Sequence, residues 1–119
     1  MNQSIIFVYG DEPFLIKEEI KKITTPYQSD QIDHLNNVFE LTTLKEMLQS
    51  TGLFATSKLI IIKNPFFLSK KLLPKEEKEL ETLLKNHQNP DIKLLIYSTE
   101  KLDQRKKFVS YLKKNTQTK

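Results

Sequence analysis

The stretch Ile5–Pro13, which reads IIFVYGDEP, decides the fold class of this chain. Its five consecutive apolar residues are rich in β-formers and predict a strand that is buried on both faces, as in a parallel sheet. The glycine and two carboxylates that follow turn the chain, and Pro13 suits the first turn of a helix. Ile16, Ile20 and Ile23 then recur at helical spacing. An amphipathic helix is therefore predicted from Pro13 to about Ile23.

Further strand-like and helix-like segments follow this first pair in alternation. Leu59–Ile62 and Leu94–Tyr97 are fully apolar runs and predict two more buried strands, and residues 32–35 predict a short one. Such alternation indicates βαβ crossovers. The predicted fold class is α/β, a three-layer parallel sheet with flanking helices.

Helices are predicted between and after these strands. The first is capped by Thr42 or Thr43 and stopped by Gly52. The second opens at Pro74 and places leucines on one face, and a third starts at Leu102. Residues 65–74 are predicted to form a loop, and the polar tail 115–119 is predicted to fray.

Composition limits the classes of protein to which the chain can belong. Its 119 residues, 38% hydrophobic and 29% charged, suit one soluble globular domain, residues 1–119. The absence of cysteine excludes disulfides and thiolate chemistry and fits a cytoplasmic location. No apolar run approaches the roughly 18 residues of a membrane span, and the N-terminus lacks the basic region of a signal peptide. No membrane partner is expected.

The turn after the first strand lies where a nucleotide-binding protein carries its phosphate loop, G-x-x-x-x-G-K-S/T. Leu15 stands where the second glycine belongs, Ile16 replaces the lysine and Lys17 replaces the magnesium-binding hydroxyl. Pro13 has no N–H to donate to a phosphate oxygen. The degenerate loop consists of Gly10, Asp11, Glu12, Pro13, Leu15, Ile16 and Lys17.

Other catalytic and metal-binding signatures are equally weak. The strand Leu59–Ile62 is followed by Lys63 and Asn64 rather than by the carboxylates that hold magnesium. His34 and His87 are far apart in sequence, and a packed or surface role suits each better than metal ligation. We predict no cofactor, no metal and no intrinsic catalysis. A nucleotide-dependent enzyme is the alternative that ATP titration would decide.

The segment Gln49–Phe54, which reads QSTGLF, is the strongest candidate for a binding site. A glutamine, a short polar spacer and the adjacent hydrophobes Leu53 and Phe54 could enter a partner's pocket as a compact plug, and interfaces concentrate their energy in a few such anchors. The alternative from the residues alone is core packing at a helix–strand junction, because most large apolar residues are buried.

Three pieces of the chain together resemble the delta subunit family of the bacterial DNA polymerase III clamp loader. Residues 6–16, FVYGDEPFLI after the first isoleucine, resemble the family's opening strand and turn. Residues 53–64, LFATSKLIIIKN, look like its central segment, and residues 94–97 with KLDQRKK at 101–107 are similar to its L-D-K-R-K-K segment. The resemblance spans about residues 5–113 in the correct order.

The resemblance implies an N-terminal AAA+-like domain, related to P-loop NTPases, that does not hydrolyse ATP. It implies that Leu53 and Phe54 enter the hydrophobic pocket of the beta sliding clamp, with Gln49 as the leading glutamine of the motif. Delta subunits of this family help to open the clamp for loading onto primed DNA, with gamma/tau and delta prime as further partners in a cytoplasmic, nucleoid-associated replisome. The family continues into a lid domain and a collar, so the chain resembles an isolated N-terminal domain of a DNA-directed DNA polymerase assembly, a nucleotidyltransferase.

Charge leaves one further alternative open. Residues 1–57 carry four lysines and eight carboxylates, whereas residues 58–119 carry fifteen Lys/Arg and seven carboxylates. A basic half can bind nucleic acid, although a lysine-coated solvated surface explains it equally simply. The side chains that would contact DNA or a partner are Lys101, Arg105, Lys106 and Lys107, with Lys113 and Lys114 beyond them.

Overall fold

The structure, a computed structural model, describes residues 2–10, 12–49, 57–69, 72–87, 91–99 and 116–118. Five strands form one sheet: β1 Asn2–Val8, β2 Ile32–Leu35, β3 Lys58–Lys63, β4 Ile92–Tyr97 and β5 Thr116–Thr118. Their order is β2-β3-β4-β1-β5, and every neighbouring pair is parallel. The predicted α/β class with a parallel sheet is confirmed.

The described helices cover both faces of this sheet. They are α1 Pro13–Thr24, α2 Leu41–Gln49, α3 Phe66–Ser69 and α4 Pro74–Asn86, with a 3-10 turn at Ser29–Gln31 before β2. None of the helices in the described part of the chain is long and apolar enough to cross a membrane.

Alternating side chains of the three central strands build two separate cores. On one face, Phe7, Ile60 and Leu94 are fully buried under α2, α3 and α4. On the other face, residues such as Leu59 and Leu95 pack with Ile16 of α1. Because both faces are covered, these strands are apolar at nearly every position, which is the pattern that the sequence shows.

Residues 65–74 were predicted to form a loop, and this prediction is wrong for Phe66–Ser69, which form the short helix α3. Phe67 is 1% exposed and packs edge-to-face against Phe39 and Phe66, with ring centroids 6.1 and 5.7 Å away. Burial of the aromatic ring against the α2–α4 layer stabilises a helical turn that is too short to show a helical period in the sequence.

Two further details differ from the sequence predictions. The carbonyl of Glu40 accepts the N–H of Thr43 at 3.0 Å, so the helix starts at Leu41 and the predicted caps, Thr42 and Thr43, lie within it. Residues 116–118 pair with β1 as an edge strand, so the predicted frayed tail is wrong there. The helix predicted from Leu102 lies outside the described residues.

Candidate functional site

The segment that carries the predicted binding motif connects the end of α2 to the start of β3. Because the sheet is parallel, the strands all begin at one edge, and the helix that precedes β3 ends at that same edge. Gln49 is the last residue of α2 and is exposed. Leu53 and Phe54 lie outside the described residues, so their role as anchors stays a prediction.

Helix α2 holds the first end of this segment firmly on the sheet. Leu44 and Leu48 are 0% and 5% exposed, and half-buried Met47 packs against the same core. Burying each of these leucines contributes about 1.5–3 kcal/mol relative to leaving it in water. Gln49 therefore stands at the exposed end of a helix whose opposite face is fixed in the core.

The second end is held at Ser57 and Lys58. The Nε2 group of Gln31 donates a hydrogen bond to the carbonyl of Ser57 at 3.0 Å, and the N–H of Lys58 donates to the carbonyl of Asp91 at 2.7 Å. The Nζ of Lys58 also lies 2.7 Å from Oδ2 of Asp33. The side chains of Lys58 and Asp33 are 33% and 40% exposed, so water weakens their ion pair. The pair therefore orients the Lys58 side chain more than it stabilises the fold.

The opposite edge, where the strands end, is the position of a nucleotide site in related architectures. Asn64 lies there directly after β3 with a φ of 47°. Its Oδ1 accepts the N–H of Thr99 at 2.9 Å and its Nδ2 donates to the Thr99 hydroxyl at 3.0 Å. Its own N–H donates to the carbonyl of Tyr97 at 2.8 Å, so these polar groups bond one another and close the gap between β3 and β4.

The turn from β1 into α1 carries the residues that the sequence analysis compares with a phosphate loop. Pro13 occupies the first turn, as predicted, and Glu12 takes the N-cap position without a side-chain hydrogen bond to the helix. Phe14 and Leu15 follow and are 68% and 63% exposed. Gly10 has no positive φ, and an added Cβ would meet only Ile16, at 4.0 Å.

Leu15 and Ile16 place apolar side chains where a phosphate loop has its second glycine and its lysine, and Lys17 stands in place of the hydroxyl. Lys17 is exposed one turn into the helix, and Ile16 is buried in the core instead of pointing at a ligand. A phosphate loop works through several free backbone N–H groups at the helix start, and Pro13 removes one of them. Asp11 lies outside the described residues.

His87 is a buried imidazole whose pKa is lowered by its surroundings. It follows α4, is 6% exposed, and its Nε2 lies 2.6 Å from the carbonyl of Ile92. Burial lowers its pKa below the ordinary 6.5, and the hydrogen bond to Ile92 opposes that shift only in part. The predicted packed role for this histidine is confirmed, while His34 is an exposed residue of β2.

The predicted basic contacts, Lys101, Arg105, Lys106 and Lys107, lie outside the described residues. The structure places both ends of the Gln49–Lys58 segment at the edge of the sheet where the strands begin. The hydrogen-bonded network of Asn64, Tyr97 and Thr99 lies at the opposite edge, where the strands end. What sequence reasoning missed is the anchoring by Gln31, Asp33 and Asp91, because no pattern in the sequence relates these polar residues to Lys58.

Comparison with known proteins decides the family. A family model described as DNA polymerase III, delta subunit, matches residues 7–119. The chain belongs to this family. Membership implies a role in DNA replication. DNA polymerase III subunit delta of Bacillus subtilis is 30% identical over an alignment 118 residues long, and 91% of this chain takes part in the match.

A solved structure shares the fold. The Bacillus subtilis DNA clamp loader delta protein (YqeN) matches with a TM-score of 0.75 at 21% identity, over 98% of this chain. The chain spans about a third of the length of these relatives, 34% of the curated protein and 37% of the solved chain.

Proposed function

We propose that this chain is the clamp-binding, AAA+-like unit of a clamp-loader delta subunit. In this proposal Leu53 and Phe54 enter the hydrophobic pocket of the beta sliding clamp, and Gln49 hydrogen-bonds at its rim. The observation that carries the proposal is the family match over residues 7–119, together with the placement of this segment between two firmly held ends.

The anchoring supports the proposal for a physical reason. An interface anchor gains affinity when it is presented without a further loss of conformational freedom on binding. The buried leucines of α2 fix the first end of the segment, and Gln31 and Asp33 fix the second. Charged groups near such an anchor act mainly on the rate of association.

The same proposal holds that the chain contributes binding energy to ring opening and leaves ATP hydrolysis to other subunits. The turn at Gly10–Lys17 supports this part, because Leu15, Ile16 and Lys17 stand where a phosphate loop has its second glycine, its lysine and its magnesium-binding hydroxyl, and Pro13 lacks an N–H. The polar network of Asn64 and Thr99 at the same edge is already satisfied internally. Gamma/tau and delta prime are the expected partners of the longer protein, in the bacterial cytoplasm.

Calorimetry with a purified bacterial sliding clamp tests the proposal. The chain should bind the clamp with the same affinity with and without ATP and magnesium, and it should show no heat of binding when ATP is titrated alone. Absence of clamp binding would contradict the proposed function. Micromolar binding of ATP would contradict our interpretation of residues 10–17, and binding to DNA that weakens steeply with salt would favour the nucleic-acid alternative.

A further inference from the structure

A groove opens between the start of α2 and the side of α4, on the same face as the larger core. Its volume is about 540 Å³, and its described lining includes the aromatic rings of Phe39 and Phe66 with Leu72. Pockets of this size hold one or a few large apolar side chains. We call it the α2–α4 groove.

Exposed apolar side chains belong to this groove or adjoin it in sequence. Val38, one of its lining residues, is 65% exposed, and Leu73, which follows the lining residue Leu72, is 67% exposed. Along the chain, these residues belong to the connections that lead into α2 and α4. Large exposed hydrophobes beside an apolar groove are typical of an interaction surface.

Three carboxylates surround this apolar surface. Glu40, Glu76 and Glu79 all line the groove, and no lysine or arginine is among its described lining residues. Glu76 is held by the N–H of Leu73 at 3.4 Å, while Glu79 is exposed on α4. Within the described residues, none of the three carboxylates forms an ion pair.

We propose that the α2–α4 groove is a docking site for a short segment of another protein that carries apolar side chains flanked by lysine or arginine. The apolar walls select the hydrophobic side chains, and the carboxylates select the cations and disfavour acidic competitors. A small cation alone would leave the apolar walls of the groove exposed to water. A wholly apolar peptide would leave three carboxylates without a counter-charge beside a surface from which water is excluded.

This site is separate from the proposed clamp contact. The groove involves Leu41 and Thr42 at the start of α2, whereas Gln49 ends the same helix about 12 Å from Leu41, at a rise of about 1.5 Å per residue. The two surfaces lie toward opposite edges of the sheet, so a partner in the groove leaves the clamp-binding segment accessible.

The test uses nuclear magnetic resonance of the isotope-labelled chain with two probes. One probe is a short amphipathic peptide of leucine and lysine, and the other is the same peptide with glutamate in place of every lysine. The lysine peptide should shift the amide signals of Val38, Leu41 and Leu72, and the glutamate peptide should not. Equal binding of both peptides, signals that shift elsewhere, or no binding at all would overturn the proposal.

Variants separate the groove from general attraction to an acidic surface. Glu79→Lys should weaken binding of the lysine peptide about tenfold because a carboxylate is replaced by a cation, and Val38→Ser should also weaken it because the apolar contact is lost. Glu18→Lys is the matched control, since Glu18 is exposed on α1, which covers the other face of the sheet. An equal loss in the Glu18→Lys variant would refute the site, and both groove variants change exposed residues that the fold does not need.

Discussion

Asn64 offers a test of how the carboxyl edge of the sheet is closed. Its backbone adopts the left-handed conformation, φ 47°, and its side chain makes two hydrogen bonds to Thr99. The Asn64→Gly variant keeps the backbone conformation at little cost but loses both side-chain bonds. Asn64→Ala loses the same bonds and also places a Cβ in the disfavoured region.

The two variants should therefore differ by a known amount. Two hydrogen bonds at about 0.5–1.5 kcal/mol each give a loss of about 1–3 kcal/mol in the free energy of unfolding for Asn64→Gly. Asn64→Ala should lose about 1–2 kcal/mol more, the cost of the left-handed conformation for a residue with a Cβ.

Urea unfolding of the wild type and both variants measures these differences. The same pair of substitutions at Asn36, an exposed residue without a positive φ, is the control. At Asn36 the alanine variant should be as stable as the glycine variant or more stable. If Asn64→Ala were as stable as Asn64→Gly, or if Asn64→Gly matched the wild type, the argument about strain and bonding at this edge would be refuted.

The remaining predictions concern the core, the turn and the buried histidine. Phe67→Ala should cost about 3–5 kcal/mol in urea unfolding because the ring is 1% exposed, whereas Phe14→Ala, at 68% exposed, should stay within about 0.5 kcal/mol of wild type. Gly10→Ala should raise the melting temperature slightly, since the site has room for a Cβ and the unfolded chain loses freedom; a fall would show that Gly10 needs its conformational range. Because the pKa of His87 is lower in the folded protein than in the unfolded chain, the unfolded chain binds a proton at a higher pH than the folded protein does. The contribution of His87 to the free energy of unfolding is therefore full above about pH 6.5 and is lost as the pH falls through the folded-state pKa. Unfolding free energies measured across that window should decline in the wild type, and a decline of the same slope in His87→Gln would contradict the assignment.

Much of the sheet could be predicted because burial on both faces leaves a continuous apolar run in the sequence. Ile5–Val8, Leu59–Ile62 and Leu94–Ile96 are such runs, and all three lie in central strands. Strand β5 could not be found in this way. Its residues Thr116–Thr118 pair with β1, and a short polar stretch of this kind shows no hydrophobic pattern in the sequence.

The candidate site shows a different limit. The residues alone favour a core position for Leu53 and Phe54, because most large apolar side chains are buried. The resemblance to a known family is what favours a binding anchor, and the anchor stays a prediction. The polar contacts that hold Lys58 depend on residues far away in sequence, Gln31 and Asp91 among them, and become visible only in the fold.

The most direct test of the central claim compares two apolar pairs on the same domain. Dissociation constants for a bacterial sliding clamp would be measured for the wild type, for Leu53→Ala/Phe54→Ala and for Phe14→Ala/Leu15→Ala, with a melting curve for each. The account predicts that the first double variant loses affinity by about a hundredfold or more at an unchanged melting temperature, while the second binds as the wild type does. Unfolding of the first variant would mean that Leu53 and Phe54 are core residues, and undiminished binding would mean that the clamp contact lies elsewhere.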